Sequence, residues 1–233
     1  MARLARVVVP GFPHHVTQRG NRRERIFFEP GDEAIYLRLM GAQLRRRGVA
    51  CWSWCLMPNH VHLILVPADA AGLALAVGEA HRRYTTFVGA RSNWTGHLFQ
   101  SRFNSVVMDE DHLRAAFRYI ALNPVRAGLA ARAEDWPWSS TGALIAARSD
   151  ARVDVGPALK RVGDFARFLA GDLFEDEALW TRLLSAQTVG RPAGEEGWIK
   201  TLEARLGVSL TPGKRGPKPK AATDETLTMD LPG

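Results

Sequence analysis

The order and patterning of its predicted elements place this chain in the α+β class, with a ferredoxin-like antiparallel sheet. Strand and helix signals follow one another as strand, helix, strand, strand, helix, strand, which is the split βαβ order of such a sheet. Apolar residues recur every three to four positions in the helical segments and dominate the strands. The chain has 233 residues, of which 46% are hydrophobic, so it can bury a sizeable core.

Turn and capping residues set the predicted boundaries of these elements. Asp32 and Asp109 are expected to cap the first and third helices. Gly48 is expected to end the first helix, and Pro124 to halt the third. Met57-Pro58-Asn59 predicts the turn of a hairpin. The predicted strands cover residues 12–19, 49–56, 60 onward and 103–108, and the predicted helices cover 32–47, 69–91 and 110–122. Helices should cover one face of the sheet, and the other face is left either open to a ligand or covered by the third helix.

The chain changes character after about residue 147. Weaker helical patches follow, with a turn at Gly190-Arg191-Pro192 and a short amphipathic helix over 195–206. From residue 211 the chain is rich in Lys, Gly and Pro and has little apolar content to bury. We therefore predict a first domain at 1–147, a helical C-terminal extension at 148–210 and a basic, disordered tail at 211–233.

Composition limits the partners and the compartment. A formal net charge of +7 and a pI of about 10.0 favour a polyanionic partner, most often nucleic acid, although a merely soluble basic protein fits the charge alone equally well. No apolar stretch is long enough to span a membrane, and the first residues show no signal-peptide pattern, so we expect a cytoplasmic protein without membrane contact. Cys51 and Cys55 are predicted to be small buried hydrophobes of a strand.

Two histidines one residue apart, His60 and His62, stand at the start of an apolar, β-branched run. Alternate residues of a strand point to one face of a sheet, so both imidazoles would leave the same face. Two ring nitrogens held on one rigid face make half of a metal site. The dipeptide alone fits a pair of hydrogen-bonded or partly exposed histidines equally well.

The third predicted helix carries Tyr119 and Asn123, which are four residues apart and therefore on one face. Asn123 precedes Pro124, which predicts a place at the helix end with a free amide oxygen. A tyrosine can act as a nucleophile once its phenol loses the proton. Two histidines and an amide oxygen would leave open positions on a divalent cation for a phosphate oxygen. The helix alone favours a packing role for the tyrosine.

Five ordered stretches resemble the single-tyrosine HUH transposases and, within them, the REP-associated tyrosine transposases. Together they span about residues 3–145, and five ordered blocks are far more specific than two spaced histidines. The C-terminal third matches more loosely, mainly through Gly190-Arg191-Pro192 and the basic tail. The matching stretches are Gly11–Asn21, Met57–Leu63, Gly96–Phe103, Tyr119–Gly128 and Trp136–Ser140.

The resemblance implies a fold, a chemistry and a set of site residues. The family fold is a ferredoxin-like sheet, in agreement with the element order. Its paired histidines, which bind Mg²⁺ or Mn²⁺, correspond to His60 and His62. Its third metal ligand corresponds to Asn123, and its nucleophile to Tyr119. The family cuts single-stranded DNA near a hairpin, forms a 5′-phosphotyrosine link and leaves a free 3′-hydroxyl.

These implications make residues 1–147 the catalytic domain and single-stranded DNA with palindromic hairpins the partner. Basic side chains would hold the DNA backbone. The resemblance leaves open whether the protein is a monomer or a homodimer, and whether Tyr119 serves the metal of its own chain. The candidates for DNA contact are Arg19, Arg22, Arg23, Arg102, Lys214 and Arg215.

Two other functions stay open on the sequence. A non-catalytic module of the same fold that binds DNA hairpins would fit the basic charge and the tail, but it would not need His60, His62, Tyr119 and Asn123 together. An unrelated metallohydrolase would use the histidines and leave Tyr119 without a role. A covalent protein–DNA adduct separates both from the transposase.

Overall fold

The computed structural model describes residues 6–93, 95–171 and 174–210, without the side chains of 174–176. These residues form four strands and eight α-helices. The first half contains β1 (His14–Arg19), α1 (Asp32–Arg46), β2 (Val49–Met57), β3 (His60–Pro67), α2 (Gly72–Ser92), β4 (Asn104–Val107) and α3 (Glu110–Arg126). The rest contains α4 (Thr141–Ile145), α5 (Gly156–Val162), α6 (Phe165–Ala170), α7 (Phe174–Val189) and α8 (Glu196–Leu206).

The four strands form one sheet in the order β2-β3-β1-β4, with antiparallel neighbours throughout. This is the predicted ferredoxin-like topology, which is thereby confirmed. In the pairing of β1 with β3, Arg19 lies opposite His60 and Thr17 lies opposite His62. Because facing residues project from the same side of a sheet, His15, Thr17, Arg19, His60 and His62 share one face, called here the histidine face.

Helices cover both faces of the sheet. The pair α1 and α2 packs on the face opposite the histidines, where Tyr36 and Tyr84 are among the largest fully buried side chains. Their hydroxyls are satisfied by His81 Nε2 at 2.9 Å and by the Ile26 carbonyl at 2.7 Å, which removes the cost of burying them. Helices α3 and α7 pack against each other and cover the histidine face.

Two predicted helix boundaries are wrong. Asp32 does not cap α1 from outside, because its carboxylate turns back to accept hydrogen bonds from the amides of Phe28 and Glu29 and pairs with Arg91 at 2.5 Å. Helix α3 does not stop before Pro124 but runs one turn further. A proline in the last turn removes only its own amide hydrogen bond, and the helix end is closed by the Ala127 amide donating to the Asn123 carbonyl.

Other predicted boundaries hold. Asp109 caps α3, with its side chain accepting from the His112 amide, and Gly48 follows α1 with a φ of +60°. Cys51 and Cys55 are free and buried. Burial raises the pKa of the Cys51 thiol to about 12, so it is an inert hydrophobic group.

The C-terminal helices add to the same core as the sheet. Phe165 of α6 and Trp180 of α7 belong to the main apolar cluster, and Leu202 of α8 packs with Val9 and Val107 in a second cluster. The boundary at residue 147 stays a prediction, and the predicted tail, with Lys214 and Arg215, lies outside the described residues. Among the described helices, none is both long and apolar enough to cross a membrane.

Candidate active site

The two spaced histidines stand side by side at the start of β3. Their ring centroids are 4.8 Å apart with the planes nearly perpendicular. His62 is only 5% exposed, whereas His60 is half-buried at the edge of an open cavity of about 650 Å³. Both imidazoles therefore lie on one face of the sheet, as the alternation of side chains along a strand predicts.

A hydrogen bond on Nδ1 orients each ring. His60 Nδ1 donates to the Asn59 side-chain oxygen at 2.6 Å, so its Nε2 keeps the lone pair. His62 Nδ1 lies 2.9 Å from Nε2 of His15, a buried histidine of β1. With His62 as the donor of that bond, its Nε2 also keeps the lone pair, which is the form that ligates a metal.

Burial keeps these histidines neutral. Desolvation, aided by the nearby charge of Arg19, lowers the pKa of His60 to about 4. Desolvation also lowers the pKa of His62 well below its usual value, with smaller contributions from His15, His60 and Arg19. Since only the neutral imidazole can ligate a metal, both rings are ready for ligation near neutral pH.

Two other buried histidines, His14 and His81, predict that the folded protein loses stability in acid. Desolvation lowers the pKa of His14 to about 4 and that of His81 to about 3, from 6.5. The unfolded chain therefore binds more protons than the folded chain below pH 6.5, and stability is lost as the pH falls from there toward the lowered values. Each such histidine contributes up to about 1.4 kcal/mol per pH unit. Urea unfolding at about pH 7 and about pH 5 should show a clear drop in the free energy of unfolding.

A matched variant separates this effect from general acid sensitivity. His97 is exposed, so His97→Gln should keep the pH dependence of the wild type, whereas His81→Gln should reduce it. Equal free energies of unfolding at the two pH values would contradict the prediction.

Helix α3 brings Tyr119 and Asn123 toward the histidines. The Tyr119 ring centroid lies 6.3 Å from that of His62, and Asn123 lines the same cavity as His60. Neither the phenol oxygen of Tyr119 nor the side-chain amide of Asn123 forms a hydrogen bond with any described residue, so both are available to a ligand. Asn123 is 8% exposed and lies within the helix rather than at its end.

Trp180 of α7 covers the site from above. Its ring stacks on Tyr119 with centroids 3.6 Å apart, and it also contacts the rings of His15 and His62. Sequence reasoning missed both Trp180 and His15. The alternation of β1 places His15, Thr17 and Arg19 on one face and was a usable signal for His15, whereas nothing in the weakly patterned segment of α7 marks Trp180.

The arginines predicted to contact DNA fall in different places. Arg19 is exposed on the histidine face opposite His60. Arg22 and Arg23 adopt left-handed backbone conformations, with φ of +52° and +65°, at a cost of about 1–2 kcal/mol each. Arg23 lines the cavity that His60 and Asn123 line. Arg102 instead lines a second cavity, which Gln18 also lines.

The donor set suits a hard or borderline divalent cation. Two neutral imidazoles with engaged Nδ1 atoms and one free amide oxygen are the residues that would hold it. In the described part of the chain, no group of three or more His, Cys, Asp or Glu side chains is placed to hold a metal ion. The candidate set of His60, His62 and Asn123 contains only two side chains of these four types, because its third member is an amide.

One family model and two solved structures are similar to this chain. The family model of IS200-like transposases matches residues 9–123, the stretch that holds all four strands and α3 up to Asn123. No protein of curated function matches the sequence.

Two solved structures are similar. One is a REP-associated tyrosine transposase bound to a REP hairpin, with 22% identity and a TM-score of 0.53, covering 66% of this chain and 93% of that one. The other is a putative transposase from Deinococcus radiodurans R1, with 19% identity and a TM-score of 0.36, covering 52% of this chain and 96% of that one. The first supports the fold described above. The family match covers the sheet and α3 up to Asn123, so this part of the chain is similar to the IS200-like transposases.

Proposed function

We propose that this protein is a transposase of the REP-associated type, a metal-dependent endonuclease and strand transferase for single-stranded DNA. It cuts near hairpins through a 5′-phosphotyrosine on Tyr119. The observation that carries the proposal is the meeting of β3 and α3, where Tyr119 lies beside His62 and Asn123 faces the cavity of His60. The fold shared with a transposase bound to a REP hairpin supports the choice of substrate.

His60, His62 and Asn123 would hold Mg²⁺ or Mn²⁺. When bound, the cation neutralises charge on the scissile phosphate and fixes its orientation. Arg19, opposite His60, and Arg23, at the cavity of His60, would hold the flanking phosphates, because arginine pairs with phosphate through two parallel hydrogen bonds.

Tyr119 then performs the covalent step. Its phenol oxygen attacks the phosphorus and gives up its proton to solvent, a bond forms between oxygen and phosphorus, and the bond from phosphorus to the 3′ oxygen breaks. The 3′ oxygen takes up a proton from solvent and leaves as a free hydroxyl. The phosphodiester energy stays in the link to Tyr119, so the 3′ hydroxyl of a second strand can reverse the step and rejoin DNA without an external energy source.

A denaturing gel tests the proposal. The full chain is incubated with a labelled single strand that contains a palindromic hairpin, with Mn²⁺ or Mg²⁺ or with EDTA. We expect a labelled band that migrates with the protein in the presence of metal, and none in EDTA or on the fully paired duplex.

The same gel separates the competing functions. Hairpin binding without cleavage under either metal would favour a non-catalytic binding module. Cleavage with multiple turnover and without a covalent band would favour a metallohydrolase. Either result would overturn the proposal.

His15 should tune the metal site without taking part in the chemistry. When its Nε2 accepts from His62 Nδ1, His62 is held in the tautomer that ligates, and loss of such a partner typically weakens metal binding by roughly 10- to 100-fold. We expect His15→Ala to raise the Mn²⁺ concentration for half-maximal adduct formation by about tenfold, with near-normal yield at saturating metal. Metal titration of the adduct reaction measures this.

His14→Ala is the matched control. His14 is equally buried on the same strand but points away from the histidine face. Its Nε2 accepts from the Val9 amide and its Nδ1 donates to the Phe12 carbonyl. Its replacement should cost stability and leave the metal titration unchanged. A titration shifted equally by both variants would remove His15 from the site.

A further inference from the structure

A second cavity, of about 680 Å³, opens beside α2 on the face of the sheet opposite the histidine face. The segment 97–103 forms its outer wall, and Gln18 of β1 and His81 of α2 form its inner wall. It shares no lining residue with the cavity of His60 and Asn123. The chemistry proposed for Tyr119 makes no use of it.

Gln18 lines this cavity and carries an acceptor without a described partner. The residue is only 3% exposed, and its Nε2 donates to the Ser101 carbonyl at 2.9 Å and more weakly to the Arg19 carbonyl at 3.4 Å. Those two carbonyls can only accept, so they fix the amide orientation. The remaining oxygen, Oε1, is buried and has no partner among the described residues. Such an acceptor is costly to leave unpaired, which points to a ligand that donates a hydrogen bond.

Aromatic rings make the cavity suited to a flat ligand. The His81 ring lies 4.6 Å from that of Phe99 and 6.4 Å from that of Phe103. Burial lowers the pKa of His81 to about 3, so at neutral pH it is an uncharged aromatic wall. On the α2 side, Gly78 has no side chain, and a Cβ there would meet nothing within 4 Å.

The rim of the cavity is cationic. Arg82 and Arg102 line it together with Arg6, and none of its described lining residues is acidic. Arg82 pairs with Glu79 at 2.8 Å, but the pair is exposed and therefore weak enough to exchange for a phosphate. Arg102 forms no ion pair with any described residue.

We propose that this cavity binds one unpaired nucleobase of the DNA, held by Gln18 Oε1 through an exocyclic amino group and by Arg82 and Arg102 through the flanking phosphates. A planar ring, a hydrogen-bond donor and a phosphate are combined in a nucleotide of single-stranded DNA. The proposal rests on the proposed function, because it takes the processed strand as the ligand.

The strand geometry connects this cavity to the candidate active site. Gln18 and Arg19 are consecutive in β1, so their side chains point to opposite faces of the sheet. Arg19 faces His60, and Gln18 faces the base cavity. A DNA strand that passes over this end of the sheet can therefore place one base in the cavity lined by Gln18. A neighbouring phosphate then stays on the histidine face, near Arg19.

Binding measurements on the full chain test the proposal without requiring cleavage. The probe is a fluorescent hairpin with single-stranded extensions, in EDTA, and its unpaired nucleotides are replaced one at a time by an abasic residue. We expect one replacement to weaken wild-type binding by about tenfold, the effect typical of one stacked base. Gly78→Leu, which fills the cavity from an open helix position, should weaken binding of the parent DNA by about tenfold and abolish the effect of that replacement.

Two further variants sharpen the result. Gly197→Leu fills equally open space on α8 and should bind like the wild type. Gln18→Leu removes the acceptor and should abolish any preference for adenine, cytosine or guanine over thymine at the sensitive position. An abasic series in which no position is coupled to Gly78→Leu would overturn the proposal.

The adduct gel distinguishes the two proposals. An adduct in the wild type without coupling in the abasic series would overturn the base cavity alone. Coupling in the abasic series without any adduct would overturn the proposed chemistry of Tyr119 alone.

Discussion

Replacing Tyr119 by phenylalanine should reduce covalent adduct formation by at least about a thousandfold, because the variant has no oxygen to attack the phosphorus. The fold should not change. The phenol oxygen forms no hydrogen bond with any described residue, and the stack on Trp180 at 3.6 Å is kept by a phenyl ring. The free energy of unfolding should therefore stay within about 0.5 kcal/mol of the wild type. Hairpin binding should also persist.

Tyr84→Phe is the matched control for this result. Tyr84 is fully buried and donates to the Ile26 carbonyl at 2.7 Å, on the other side of the sheet from the histidines. Its loss should cost about 1 kcal/mol of stability and leave the adduct intact. An adduct that survived Tyr119→Phe at wild-type yield would assign the nucleophile to another residue.

Trp180→Ala should destabilise the protein more than any other single change considered for the site. Trp180 is 5% exposed and packs against Tyr119, His15 and His62. Truncation of a buried tryptophan costs about 3–5 kcal/mol. Its indole nitrogen is buried without a described partner, so removal of that group returns about 1–3 kcal/mol. The loss of packing is larger than this gain, and we expect a net loss of about 2 kcal/mol in urea unfolding.

Two substitutions test the packing argument. Trp180→Phe keeps an aromatic ring and removes the unsatisfied donor, so it should cost less than about 1.5 kcal/mol. Leu184, on the same helix, is 41% exposed, and Leu184→Ala should change stability by less than about 1 kcal/mol. Equal losses for Trp180→Ala and Leu184→Ala would mean that α7 does not pack on the site as described.

The sequence was sufficient to predict the sheet and the histidine pair because both depend on local periodicity. Alternation in β3 fixes the face that His60 and His62 share, and the order of strands and helices fixes the topology. The spacing of Tyr119 and Asn123 predicts their common helix face in the same way.

Features that depend on long-range contacts could not be predicted. The reach of α3 past Pro124 depends on hydrogen bonds beyond the proline, and the Asp32 carboxylate was drawn away from the helix start by Arg91, 59 residues further along. The stacking of Trp180 on Tyr119 depends on how α7 docks against α3. Propensity and spacing carry no information on such docking.

Mapping the attachment point of the DNA tests the central claim most directly. The adduct is digested with nuclease and trypsin, and the modified peptide is identified by mass spectrometry. Cleavage after Arg118 and Arg126 releases the peptide Tyr119–Arg126, in which Tyr119 is the only side chain with a hydroxyl or thiol group. We predict a nucleotide 5′-phosphate on this peptide. A nucleotide found on any other peptide would contradict the assignment of Tyr119 as the nucleophile.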